Sequence, residues 1–146
     1  MKFKYSEKIN ILGISNCPPN ECSAVEDGGI YYRWVHEDIE HQNNFIPVLE
    51  INPKRIHTPS FSEDSQKCSG FALSMYDTFN NSQNEYLRIC QKNSNFPRFV
   101  GTHVAKLTLY FGDGYKTPSS RKGHFDLFEG EALDLIERIS EVFKIK

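Results

Sequence analysis

The chain has 146 residues, with 19 acids against 17 Lys and Arg and a formal net charge of −2. That length can bury a real core, and 11 Phe and 7 Tyr supply apolar material that argues against disorder. No basic block marks a nucleic-acid surface, and no stretch approaches the roughly 20 apolar residues of a membrane span, so neither partner is expected.

The opening segment, MKFKYSEKINILGIS, holds no apolar run long enough for an export signal. A cytoplasmic location is therefore expected, with Cys17, Cys22, Cys68 and Cys90 as reduced thiols. Residues 8–14 (KINILGI) read as a first strand. CPPNEC and AVEDGG follow as turn signals. GIYYRWVHE then alternates, with Ile30, Tyr32 and Trp34 on one face and Tyr31, Arg33 and Val35 on the other. FIPVLEIN (45–52) is a further strand candidate, placed at an edge by Pro47.

Residues 53–67 (PKRIHTPSFSEDSQK) are polar, hold two prolines and read as a long mobile loop. If that loop is packed instead, it is expected to line a site. Arg55 and His57 would then be its polar contacts, since Arg matches carboxylates and phosphates and His can donate or accept near neutral pH. Phe71 to Leu73 end a strand, and Ser74 with Asp77 forms an S-x-x-D capping box. A helix over about 74–91 follows from Phe79, Gln83, Tyr86, Leu87 and Cys90 at helical spacing.

HVAKLTLYF is a strand with Ala105, Leu107, Leu109 and Phe111 on one face, and GDG (112–114) is a hairpin-turn signal. HFDLF (124–128) is another short strand. Residues 129–144 read as the second helix, with Ala132, Ile136, Ile139 and Phe143 as its stripe and acids crowding its first turn. The expected class is α+β: one domain over 1–146, a mostly antiparallel sheet and two main helices, about 74–91 and 129–144. Trp34, Leu107, Leu109, Phe111, Ile136 and Ile139 are the expected core.

The chemistry is sparse. Cys17 and Cys22 are the tightest cysteine pair, but a zinc site wants a second pair nearby, so no metal is expected. His36 and His41 are five apart, not the i, i+4 spacing that puts two imidazoles on one helical face. His103 and His124 each open a strand soon after a glycine and would be neighbours if those strands pair. With Arg55 and His57 they make up the candidate ligand-binding set. No phosphate loop is present, and no motif specifies a cofactor.

One order of residues resembles a known family. IYYRWV puts Arg33 on an early strand, GFALSMYDTF puts Ser74 at a strand-to-helix junction, and EGE supplies Glu129 and Glu131. Arg, then Ser, then Glu-x-Glu resembles ADP-ribosyltransferase-like domains, although Ser74 is followed by Met75 and no Ser-Thr-Ser triplet occurs. The resemblance implies Arg33 and Ser74 holding NAD and Glu131 acting on the attacking group, a catalytic set of three. The leading expectation is a non-enzymatic accessory protein of the immunity or defence type that binds another protein. The alternative is an ADP-ribosyltransferase-like enzyme using NAD or a nucleotide. The enzyme requires Arg33, Ser74 and Glu131 to converge on one pocket; the binding protein requires an exposed apolar patch elsewhere.

Overall fold

A computed structural model describes residues 2–146. Its centre is a seven-stranded sheet in the order β1-β5-β6-β3-β2-β4-β7, antiparallel at every pairing. The strands are β1 (Ser23–Ala24), β2 (Gly29–Val35), β3 (Leu73–Tyr76), β4 (His103–Leu109), β5 (Gly114–Lys116), β6 (His124–Glu129) and β7 (Ile139–Lys144). The helices are α1 (Ser6–Ile11), α2 (Val48–Ile51), α3 (Asp64–Ser69), α4 (Phe79–Lys92) and α5 (Phe96–Val100). The class is α+β, as expected, but only α4 is a long helix.

Alternation sets the two faces. Tyr31, Val35, Leu73, Met75, Ala105, Leu107, Leu109, Phe125 and Leu127 form one buried cluster, closed over by Val25, Leu133 and Leu135. On the other face α4 packs through aromatic contacts: Trp34 against Tyr76, Tyr86 and Phe96, and Phe79 against Tyr32 and Phe143. The buried polar ends find partners. Trp34 Nε1 donates to Ser82 O at 2.9 Å, and Tyr86 OH donates to Gly101 O at 2.8 Å. A second cluster covers the rest of that face, where Ile9, Ile14, Leu49, Phe61, Cys68 and Phe71 pack on Phe128.

Several expectations are corrected. Residues 8–14 are not a strand: 6–11 are α1, which buries only Ile9 and stops before Gly13 at φ +68°. Val48–Ile51 is a single helical turn entered from extended Pro47. Ser74 does not cap α4; it lies in β3, and Thr78 is the cap, its side chain accepting from Asn81 N at 3.0 Å. The loop at 53–67 is built of 3-10 turns at Pro53–His57 and Pro59–Phe61 followed by α3, with Phe61 buried.

The largest correction is at 129–144, which form no α-helix. Glu129 ends β6, a 3-10 turn spans Leu135–Arg138, and β7 follows. The apolar spacing of 132–143 fits a helix. Six residues, among them Ile139, Val142 and Phe143, instead gain a ladder on β4, from His103↔Lys144 to Leu107↔Ile139, with a register shift at Lys106/Leu107. Ile136, 39 % exposed, therefore misses the core. Phe111 misses it too, at 75 % exposed, because β4 ends at Leu109 and Gly112 turns the chain at φ +96°. The GDG turn joins no hairpin, since β5 pairs with β1 and β6 rather than β4. Asp113 there is buried, accepting from Tyr110 N and bound by Arg138 Nε and Nη2 at 2.8 and 2.9 Å.

The cysteines also differ from expectation. Cys17 and Cys68, 51 residues apart, form a disulfide, while Cys22 and Cys90 are free. All four are expected as reduced thiols, but folding α1 and α3 onto one cluster brings Cys17 to Cys68.

Candidate functional site

Arg33 sits at mid-β2 on the face that carries Tyr31 and Val35. Its Nε donates to Asn44 O at 2.7 Å and its Nη1 to Ser74 O at 2.8 Å. It thereby ties the 36–47 loop and β3 to β2, which is paired with β3 at Tyr32↔Tyr76. Burial pushes the guanidinium down to about 10, against the pull of Glu129, and it remains a cation at neutral pH.

Ser74 presents its hydroxyl on the opposite face, 3.0 Å from His124 Nε2 on β6. Asp126, in register with Ser74, places Oδ1 3.9 Å from the same nitrogen, and its Oδ2 accepts from Ser69 Oγ at 2.7 Å. Burial raises the Asp126 carboxyl above its usual range, opposed by Ser69 and His124. A serine relay needs the carboxylate on Nδ1 while Nε2 addresses the hydroxyl. Here both groups approach Nε2, so the three form a polar cluster on a strand pair and lack the order of a relay.

The other residues singled out from sequence are dispersed. Glu131 is exposed and pairs with Lys2 at 3.3 Å. Its neighbour Glu129 is the buried one, bound to Lys4 at 2.9 Å. Arg55 lies over the Phe61 ring at 5.5 Å, and His57 is exposed. His103, at the start of β4, has its Nδ1 2.8 Å from Thr102 Oγ1 and is separated from His124 on β6 by β2 and β3. The structure thus joins Arg33 to the Ser74 carbonyl on one face and the Ser74 hydroxyl to His124 on the other, and leaves Glu131, Arg55, His57 and His103 apart. Among the described residues, no group of three or more His, Cys, Asp or Glu is placed to hold a metal.

An open cleft lies elsewhere. It measures 510 Å³ and opens between α1 and residues 49–56. Leu49, Ile56 and Phe71 line it, with Ile11 and Leu12, while Lys8 and Glu50 meet on it at 2.6 Å. Ile56 belongs to the segment read as a loop, so that segment does line a cleft, through an apolar residue rather than through Arg55 or His57. Ile11 and Leu12 escaped sequence reading because a six-residue helix is too short to show a stripe. In sequence Glu129 looks like a helix-dipole acid, and only its place at the end of β6 shows it to be buried.

No protein-family model matches the chain, and no curated protein or solved structure matches it either.

Proposed function

We propose that this chain is a non-enzymatic binding protein that takes an apolar segment of another protein into the cleft between α1 and residues 49–56. Ile11 carries the reading: it is 77 % exposed beside an apolar floor, with Leu12 at 47 % next to it. Covering a large aliphatic side chain is worth about 1.5–3 kcal/mol, so a partner would gain here. Apolar anchors framed by the Lys8–Glu50 ion pair follow the anatomy of an interface core and its rim. An immunity- or defence-accessory role in the cytoplasm is the setting this reading extends to. The Cys17–Cys68 disulfide weighs against the cytoplasmic part, because such bonds persist chiefly in oxidising compartments.

The ADP-ribosyltransferase-like alternative draws support from the bond between Arg33 and Ser74 O. Against it stand the commitment of Arg33 to two main-chain carbonyls and the ion pair of Glu131 with Lys2. Panning a random peptide library on the whole chain tests the binding reading. Enriched peptides should carry apolar anchors, and Ile11→Glu should weaken them at least about tenfold. The substituted side chain is in solvent, so circular dichroism should not change. Peptides that bind both forms equally, or release of nicotinamide from NAD by the unmodified chain, would remove the reading.

A further inference from the structure

Glu129 is 4 % exposed at the end of β6. Its backbone is pinned on both sides, since Lys4 N donates to Glu129 O at 3.0 Å and Gly130 N to Asp113 O at 2.8 Å. Oε1 accepts from Lys4 Nζ at 2.9 Å, and the same ammonium donates to Leu133 O at 2.7 Å. Oε2 is buried and meets no donor among the described residues. Arg33 draws on its charge, but Arg33 Nε and Nη1 bond to the carbonyls of Asn44 and Ser74. A buried acceptor left without a donor costs about 1–3 kcal/mol, so this oxygen has a standing demand for one.

Glu129 lines a second cleft, of 360 Å³, whose apolar wall includes Phe45, Leu133 and Ile136. Glu40 and Asp134 stand on the same cleft, and among the described residues its only Lys or Arg is Lys4, already bound to Glu129. The lining carries three carboxylates against one ammonium, with the Arg33 guanidinium near Glu129 as a further cation, and the volume is at the small end for ligand sites. We propose that this cleft binds a small organic cation, a primary ammonium or guanidinium on a short apolar body, with an N–H donating to Glu129 Oε2. The ammonium or guanidinium supplies the missing donor and offsets the excess of carboxylates. The apolar body covers Leu133 and Ile136. A neutral alcohol would meet only the first demand, and a carboxylate would be repelled.

Calorimetric titration of the whole chain with n-butylammonium and agmatine tests this, with n-butanol and butyrate as controls. Both cations should bind and neither control should. Glu129→Gln should weaken the cations by about 10- to 100-fold, the worth of a charge-assisted hydrogen bond. Ile136→Trp, at a half-exposed wall position, should block the cleft without touching the core, which covers the case in which Glu129→Gln folds poorly. Binding of butanol as tight as butylammonium, cation binding unaffected by both substitutions, or no cation binding at millimolar concentration would overturn the proposal. Ile11→Glu should leave cation binding intact, so the two clefts fail or stand separately.

Discussion

Glu129 shows how one side chain carries a pH dependence. Burial raises its carboxyl above the ordinary 4.5, against Lys4 and Arg33, which lower it. A raised folded value means that the native state holds the proton more readily than the unfolded chain. The group's contribution is therefore full below 4.5 and is lost as pH rises through the folded value. Glu129→Gln removes that titration, so its stability relative to the parent should improve between about pH 5 and pH 7. Urea unfolding at the two pH values measures it, and a constant difference between the forms would contradict the assignment. Asp113 works in the opposite sense. Burial pushes it up, but the Arg138 guanidinium and Tyr110 N–H prevail and hold it below its usual range. Its contribution is present at neutral pH and lost on acidification.

At the scale of elements, the join between α5 and β4 turns on Gly101. It sits at φ +92°, and a Cβ there would lie 2.1 Å from Val35 O. Gly101→Ala should cost at least about 2 kcal/mol in urea unfolding, since both the backbone conformation and the neighbouring strand oppose it. An unchanged midpoint would count against this packing. The same elements show what could be read in advance. β2, β4 and β6 were legible because their side chains alternate over five or more residues with one face buried. α4 was legible as a helix, though not its start, because Ser74 and Thr78 both look like caps and only strand pairing decides between them. Residues 129–144 read as helix because Ile136, Ile139 and Phe143 match a period of 3.6. The partner strand that outweighed this lies more than thirty residues away. Of the candidate site, Arg33 and Ser74 are linked in the sequence only by the family resemblance, and the contact found is to the Ser74 main chain; the buried state of Glu129 has no signal in the sequence.

At the scale of the whole molecule, the Cys17–Cys68 bond closes a loop of 51 residues and ties the chain after α1 to α3. By chain-entropy reasoning, reduction should lower stability by about 2–4 kcal/mol. Urea unfolding with and without a phosphine reductant measures this, and identical curves would mean that the cross-link restrains nothing. Thiol titration of the denatured, unreduced chain should find only Cys22 and Cys90. The sheet has two borders, β1 and β7. β1 offers two residues, and β7 carries exposed Glu141 and Lys144 along a ladder that slips register at Lys106/Leu107. Short or charged borders of this kind deter annexation by a foreign strand. Whatever this protein recognises, it is poorly suited to recognise it by β-augmentation, the mode in which main-chain bonds supply affinity and many sequences are accepted. On the proposed binding reading, recognition would fall instead to side chains in clefts, where a single wrong group on the guest is felt.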